Sequence, residues 1–346
     1  MPSRQPIFAS NPVAPSCHAA TIVEATPGIF LAAWFAGTYE GHPDVAIWLA
    51  RYEAGVWGPS RKVADEPDAS HYNPLLFREQ TGTLWLFYKI GVSVPTWTGM
   101  YRKSHDDGQS WSAPVMLPAG LIGPAKNKPI TLSNGTILCG TSHETWGSWA
   151  CWVEASADGG RNWTKHGPVV APGTQGYEGS PDAVVSAVWD EASGTLVLPK
   201  GFAGVIQPTL WEYAPGRVKM LMRSTQRVGC VCVSLSDDHG RTWTPAERVS
   251  IPNPNSGLDA VRLTDGRIVL ACNPVPEGRA PLSVLVSDDN GVTWPRRLDL
   301  ETGPGEHSYP SIIEAADGRV HVVATYRRER IFHYVLEPQE FGDVDS

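Results

Sequence analysis

The sequence predicts an all-β protein, a six-bladed β-propeller whose blades are four-stranded antiparallel sheets. Three observations lead to this fold: a composition rich in turn and strand residues, a recurring turn motif, and a second repeat that marks the start of each unit. The chain has 346 residues, a length that one large repetitive all-β domain can reach. We therefore interpret residues 1–346 as a single propeller domain.

The composition favours short strands joined by tight turns over long helices. The chain contains 34 Gly, 30 Pro and 14 Trp; glycine and proline form turns, and tryptophan favours strands. Hydrophobic residues make up 42% and charged residues 18%, which excludes a disordered chain, a coiled coil and a basic nucleic-acid binder. Because the net charge is -8, an acidic ligand has to be bound by a local group of cations.

The sequence contains no segment of the length and apolarity that membrane insertion requires, so no membrane association is expected. No signal peptide is visible at Met1–Ala9. We expect a cytoplasmic protein, or a secreted or periplasmic one whose signal peptide is missing from this sequence. The six cysteines form no zinc-type pairs, and no His, Asp and Glu set has ligand spacing, so no metal or other cofactor is expected.

A turn motif of the pattern Ser-x-Asp-x-Gly-x-x-Trp occurs four times. The copies are Ser104–Trp111, Ser156–Trp163, Ser236–Trp243 and Ser287–Trp294. The pattern predicts a hairpin turn in which Asp caps backbone N–H groups, Gly takes the positive-φ position and Trp covers the turn. With a degenerate copy at Glu53–Trp57, the motifs recur at about 50 residues, enough for the four strands of a blade.

A second repeat, a polar cluster leading into an apolar run, occurs six times and marks the first strand of each unit. The clusters begin near Ser16, Tyr72, Asn127, Gln207, Asn255 and Glu306. The last unit, ending at Ile331–Leu336, lacks one strand, which the segment Gln5–Phe8 can supply to close the ring. A wider gap between the second and third motifs leaves an insertion at about 171–205, after the third blade, which is either a lid or a decorated edge.

These repeats resemble those of the sialidase or neuraminidase superfamily, particularly its bacterial six-bladed members with Asp-box repeats, over nearly the whole chain. The resemblance implies a carbohydrate substrate. It also implies a site with three arginines for the ligand carboxylate, a Tyr nucleophile activated by Glu, and an Asp acid/base on a first-blade loop. Asp44 matches the acid/base, for which a raised pKa is expected, while Arg223 and Arg279 match the second and third arginines.

Other positions depart from the family pattern. His18 stands near the position of the first arginine, and Gln207, which cannot act as a base, stands in place of the activating Glu. In the last blade His307 occupies the position of the nucleophilic Tyr. Tyr309 lies two residues later, on the same face of a regular strand, so a shifted register makes it the alternative phenol.

Because the inner strands of a propeller converge on its axis, polar residues at their starts are expected to line one central pocket. The candidate catalytic residues are His18, Asp44, Gln207, His307 and Tyr309. The candidate substrate-binding residues are Glu40, His42, Asn73, Lys128, Arg223, Asn255, Asp259, Arg279 and Glu306.

The function expected from this pocket is that of an exo-acting glycoside hydrolase on a terminal acidic sugar, either sialic-acid-like or part of a uronate-containing glycan. Asp44 acts as general acid, and His307 or Tyr309 acts as nucleophile or activates a water molecule. Direct attack by Tyr309 retains the anomeric configuration, and attack by a water that a histidine activates inverts it. Two alternatives stay open. One is a uronate-directed lyase or a rhamnosidase-type propeller enzyme, and the other is a non-catalytic glycan-binding propeller.

Overall fold

The chain folds into six antiparallel sheets arranged as the blades of a propeller, and the predicted all-β class is confirmed. The computed structural model describes residues 2–8, 14–145, 147–172, 188–190, 195–197 and 202–341. Within these ranges the helical elements are two short 3-10 turns, Val94–Thr96 and Pro338–Phe341. None of the described helices has the length and apolar character needed to span a membrane.

Each of the first five blades runs outwards from the axis in chain order. Blade 1 consists of β2 (Ser16–Thr26), β3 (Ile29–Gly37), β4 (Ala46–Glu53), β5 (Val56–Trp57) and β6 (Arg61–Ala64), and blade 2 of β7 (Ser70–Arg78), β8 (Leu84–Gly91), β9 (Thr98–Ser104) and β10 (Val115–Met116). Blade 3 consists of β11 (Ile130–Thr131), β12 (Ile137–Glu144), β13 (Trp149–Ser156) and β14 (Thr164–Val169), and blade 4 of β17 (Val205–Ala214), β18 (Arg217–Ser224), β19 (Cys230–Ser236) and β20 (Glu247–Pro252). Blade 5 consists of β21 (Asp259–Arg262), β22 (Ile268–Cys272), β23 (Leu282–Ser287) and β24 (Arg296–Glu301). In blade 1 both β5 and β6 pair with β4.

Blade 6 joins the two ends of the chain. Its strands β25 (His307–Glu314), β26 (Val320–Tyr326) and β27 (Arg330–Leu336) are completed by β1 (Ser3–Pro6), which pairs antiparallel with β27. The predicted closure of the ring by an N-terminal strand is therefore confirmed, with the strand beginning two residues earlier than Gln5. Closure leaves each blade with a neighbour on both faces.

The insertion predicted at about 171–205 falls in the interval that separates β14 of blade 3 from β17 of blade 4. Most of it lies outside the described residues. The described part contains two short paired strands, β15 (Val188–Asp190) and β16 (Thr195–Val197).

The core consists of six apolar clusters of described residues, each lying between two adjacent blades. Leu31 of blade 1 and Leu86 of blade 2 belong to one of these clusters, for example, and Trp211 of blade 4 and Leu270 of blade 5 belong to another. Burying one such side chain contributes about 1.5–3 kcal/mol. Since every blade shares both of its faces, no blade buries its core alone.

The four repeated turns have the predicted geometry and also connect neighbouring blades. In the third copy, Asp238 accepts the backbone N–H of Thr242 at 2.8 Å, Gly240 has φ of 82°, and the Trp243 indole donates to the Gly240 carbonyl at 3.0 Å. A Cβ at Gly240 would lie 2.8 Å from Leu138 of the preceding blade. Glycine therefore serves both the turn and the close approach of two blades.

Four inner strands contain a β-bulge at the predicted polar cluster. The bulged residues Ala19, Asn73, Gln207 and Tyr309 have φ of 54°, 37°, 53° and 54°, a region that non-glycine residues rarely adopt. A bulge interrupts the alternation of side chains between the two faces of a strand and redirects one of them. In four of its six copies, the second sequence repeat thus coincides with a bulge.

Candidate active site

Tyr309 is the residue around which the axial polar groups gather. It lies in the bulge of β25 and is 9% exposed. Its hydroxyl accepts a hydrogen bond from Arg223 Nη1 at 2.5 Å, and the Gln207 amide nitrogen lies 3.5 Å from the same oxygen. A guanidinium at this distance stabilises negative charge that develops on a phenol oxygen.

Arg223, on β18, is buried and bonded to neutral groups. Besides the Tyr309 hydroxyl, it donates to Asn255 Oδ1 at 2.8 Å and to Gln207 Oε1 at 2.9 Å. Within the described ranges, no carboxylate forms an ion pair with it. Its positive charge is therefore available to an anion that enters the site.

A second group of charges surrounds Glu306. Its carboxylate is paired with Arg279 at 2.7 Å and with Arg328 at 3.2 Å, and Arg328 also pairs with Glu40 at 2.6 Å. Partial burial acts to raise the pKa of Glu306, but Arg279, the Ser308 hydroxyl and Arg328 outweigh it and lower that pKa. Glu306 is thus an ionised partner of the arginines at the edge of the site.

Arg328 was not predicted from the sequence. It lies in the turn between β26 and β27, where Arg327 and Arg328 have φ of 52° and 56°. Two consecutive non-glycine residues in this region are unusual in a hairpin. In the sequence, the pair Arg327–Arg328 directly before the last strand is the feature that could have pointed to Arg328.

His18 lies beside Tyr309, with ring centroids 4.2 Å apart, and against Phe35 at 5.7 Å. It is 1% exposed, and neither ring nitrogen has a hydrogen-bond partner among the described residues. Burial, followed by the positive charges of Arg328 and other cations, lowers the pKa of His18 well below its ordinary value. The imidazole is therefore neutral at neutral pH.

Of two neighbouring lysines, Lys126 lies beside Tyr309, whereas the predicted Lys128 does not. Lys128, the predicted ligand residue, is paired with the fully buried Asp259 at 2.9 Å. Lys126 instead bonds to the Pro310 carbonyl and lies 5.8 Å from the centre of the Tyr309 ring. Burial lowers the pKa of Lys126 to about 7, so it exchanges protons near neutrality.

Two predicted substrate-binding residues are engaged in contacts between blades. The Asn73 amide donates to the Ala125 carbonyl at 3.0 Å. Asp259 accepts from the Thr209 hydroxyl at 2.8 Å and from the Ile312 N–H at 3.0 Å. The structure brings both residues towards the axis, where they hold adjacent inner strands together.

His307 is fully buried, and its contacts differ from those of Tyr309. Its Nε2 lies 2.9 Å from the Gly303 carbonyl, and its ring packs on Tyr326 with centroids 4.8 Å apart. The phenol of Tyr309, and not the imidazole of His307, meets Arg223. The alternation from which the two were expected to share a face is interrupted by the bulge at Tyr309.

Asp44 lies on the predicted first-blade loop, but its pKa is opposite to the expectation. Its carboxylate accepts from the Thr38 hydroxyl at 2.6 Å and from the Thr38 N–H at 2.9 Å, and His42 lies at 2.7 Å. These bonds lower the pKa of Asp44 to about 2. The expectation of a raised pKa is wrong because the side chain is about half exposed and bonded to donors.

Glu144, at the end of β12, is a second residue that the sequence did not single out. It is 8% exposed and lines a cavity of about 430 Å³ together with Trp97, Leu117, Ile122 and His143. The Gln207 amide nitrogen lies 3.5 Å from its carboxylate. The polar clusters of the sequence mark the starts of the first strands, whereas Glu144 ends the second strand of its blade.

The axial groups are oxygen and nitrogen donors and acceptors. Within the described ranges, no group of three or more His, Cys, Asp or Glu residues could hold a metal ion. Cys17, next to His18, is a free thiol whose pKa burial raises to about 12, although Arg328 acts in the opposite direction. Its thiol is therefore protonated at neutral pH.

Comparison with known proteins relates this chain to a repeat family and its fold to proteins named as sialidases. Residues 28–322 match the family model described as BNR repeat-like domain. A sialidase from Bacteroides fragilis (strain YCH46) is 26% identical over 259 residues, which cover 70% of this chain and 41% of that protein. The matched segment therefore covers less than half the length of that relative.

Solved structures of sialidases have similar folds. The Hadza microbial sialidase Hz136 superposes with a TM-score of 0.74 at 19% identity, covering 94% of this chain and 66% of that one. The intramolecular trans-sialidase from Ruminococcus gnavus gives a TM-score of 0.71 at 14% identity, covering 98% of both chains. These likenesses show the fold, and they agree with the six-bladed propeller expected from the repeats.

Proposed function

Because this chain belongs to the BNR repeat-like domain family, we propose that it is an exo-acting glycoside hydrolase that releases a terminal acidic sugar of the sialic acid class. The observation that carries the proposal is the phenol of Tyr309 held at 2.5 Å by the buried Arg223, whose bonds in the described part of the chain are otherwise to neutral groups. This pairs a candidate nucleophile with a cation that can bind a carboxylate.

In the proposed reaction the sugar carboxylate binds Arg223 and Arg279. The phenol oxygen of Tyr309 bonds to the anomeric carbon while the bond from that carbon to the leaving oxygen breaks. The phenol proton passes to a base; the candidate is His18, which has to turn a ring nitrogen towards the phenol, because neither nitrogen makes a hydrogen bond in the free protein. The leaving oxygen takes up a proton, and water then releases the sugar with its configuration retained.

Asp44 remains the proposed proton donor to the leaving oxygen, with one requirement. With its pKa at about 2, the carboxyl is ionised in the free protein at neutral pH. A bound substrate has to replace the Thr38 hydrogen bonds and exclude water before Asp44 can carry a proton.

A second candidate function, elimination from a uronate, is favoured by Lys126. A buried lysine with its pKa lowered to about 7 can take a proton from carbon near neutrality, while Arg223 neutralises the substrate carboxylate. In this reaction the carbon–hydrogen bond and the bond to the leaving oxygen both break, and a carbon–carbon double bond forms.

The test is a panel of aryl glycosides of sialic acids and uronic acids. Release of the aryl group from a sialic acid glycoside, with a single retained anomer in the first proton NMR spectra, supports the proposal. An unsaturated product that absorbs in the ultraviolet favours elimination. Saturable binding of the acidic sugars without turnover indicates a glycan-binding propeller and overturns the hydrolase proposal.

A further inference from the structure

Glu144 is the carboxylate that connects the blade 3 side of the site to Gln207. Its Oε1 accepts a hydrogen bond from the Ser142 hydroxyl at 2.8 Å, and that hydroxyl accepts the Gln207 backbone N–H at 3.2 Å. The same Oε1 lies 3.5 Å from the Gln207 side-chain nitrogen. Glu144 therefore contacts the side chain of Gln207 directly and its backbone through the Ser142 hydroxyl.

The backbone of Gln207 is fixed in an unusual conformation. Its φ is 53°, and its carbonyl accepts a hydrogen bond from the Asn127 amide at 2.9 Å. Close packing of the Pro208 carbonyl, which a Cβ at Gly140 would approach to 2.7 Å, holds this bulge against blade 3. With the backbone held, the remaining freedom of Gln207 is in its side chain, above all the rotation of its amide.

Only one orientation of this amide satisfies all of its neighbours. Arg223 Nη1 is a donor, so it requires the amide oxygen, at 2.9 Å. An ionised Glu144 is an acceptor, so it requires the amide nitrogen, which also lies 3.5 Å from the Tyr309 oxygen. The reversed amide would set two donors against each other at Arg223 and two acceptors against each other at Glu144.

We propose that Glu144, in its ionised form, is a positioning residue that orients the Gln207 amide and through it holds Arg223 and Tyr309 in place. A protonated Glu144 can donate to the amide oxygen, and the reversed amide then has a partner. Protonation of one buried carboxyl therefore loosens the contact between Gln207 and Arg223.

The surroundings of Glu144 bring this protonation closer to neutral pH. Burial raises the pKa of Glu144, although Arg223, the Ser142 and Gln207 hydrogen bonds and Lys89 act to lower it. The ionisable groups that face it are Arg223 from β18, Lys89 from β8 and Cys151 from β13. The preference of the Gln207 amide for one orientation is thus expected to weaken as the pH falls through the raised pKa of Glu144.

The first experiment does not depend on turnover. In protein labelled with ¹⁵N-glutamine, the Gln207 side-chain signals are identified by their loss in Gln207→Ala. They are expected to shift with pH in the original protein and to stay constant in Glu144→Gln over the same range. Identical titration of these signals in the two proteins would overturn the inference.

The second experiment rests on the proposed function and uses a glycoside that is turned over. Glu144→Ala is expected to lower kcat ~10- to 100-fold, with Glu144→Asp restoring part of it. In a Gln207→Ala background the same substitution should have little further effect. Equal losses in both backgrounds would contradict action through Gln207.

Glu247→Gln, an exposed position on β20, is the matched control, expected to leave both kcat and the Gln207 signals unchanged. If no glycoside is turned over, the proposed function fails, while the glutamine signals still decide the role of Glu144.

Discussion

The outer turns and the inner-strand starts of this propeller are both repeated elements, but their polar groups differ in hydrogen bonding and in backbone conformation. In the turns, Asp238 and its equivalents bond to N–H groups within four residues along the chain. At the axis, His18 is buried and its two ring nitrogens make no hydrogen bond among the described residues, and Tyr309 and Gln207 have left-handed backbones. Satisfied groups stabilise a scaffold, whereas strained and unpartnered groups mark a site where a ligand binds.

The largest effect is expected from Tyr309→Phe. The ring still packs on His18, but the oxygen that Arg223 contacts is gone, so kcat on a responsive aryl glycoside should fall on the order of 10³-fold. Tyr101→Phe, on an outer part of blade 2, is the matched control and should keep full turnover. Activity retained in Tyr309→Phe would remove Tyr309 as the nucleophile.

The pH dependence of stability probes a buried histidine pair in the scaffold. His321 Nδ1 lies 2.9 Å from His333 Nε2, and burial lowers their pKa values to about 4 and about 3. Both are neutral in the folded protein at pH 5, whereas unfolded histidines with pKa about 6.5 bind protons there. The free energy of unfolding should therefore fall as the pH drops below about 6.5, by about 2 kcal/mol per histidine at pH 5.

Urea unfolding at pH 7 and pH 5 measures this loss. Replacing both His321 and His333 by Leu should reduce the difference between the two pH values, while replacing the exposed His105 by Gln should leave it unchanged. An undiminished difference in the double variant would show that other groups cause the acid sensitivity.

Gly240→Ala probes the outer turns. The residue has φ of 82°, and the new Cβ would lie 2.8 Å from Leu138, so we expect a loss of about 1–2 kcal/mol of stability with unchanged turnover. Gly135→Ala has a similar φ of 84° but no atom within 4 Å, so it separates backbone strain from contact between blades. Equal losses in the two variants would show that the approach to Leu138 contributes nothing.

The smallest effect, and one of opposite sign, is expected from His18→Phe. A phenyl ring keeps the contacts with Tyr309 and Phe35 and removes the unpartnered ring nitrogens. Stability should rise by about 1 kcal/mol while turnover falls, because an unsatisfied buried polar group costs free energy. A decrease in the melting temperature would mean that the nitrogens of His18 do stabilise the fold.

The sequence repeats predicted most of the fold but a smaller part of the site. The turn motif is local, because Ser236, Asp238 and Gly240 bond within one turn, and its spacing therefore counts blades without knowledge of the rest of the chain. Arg223, Gln207 and Tyr309 were predicted for the site, and the structure brings them together.

The remaining site residues were not predictable because no local pattern encodes them. Lys126 and Lys128 are two positions apart, yet one lies beside Tyr309 and the other pairs with Asp259. Glu144 ends the second strand of its blade and Arg328 lies in a hairpin, so neither belongs to the polar cluster that marks an inner-strand start.

By itself the sequence determined the number of blades, the closure of the ring and the family, because turn capping and the glycine at each turn act over a few residues. Only the tertiary structure decided which polar groups meet at the axis. The physical reason is the bulge: at Gln207 and Tyr309 a positive φ breaks the two-residue alternation of a strand, so the direction of each side chain depends on the packing of neighbouring blades.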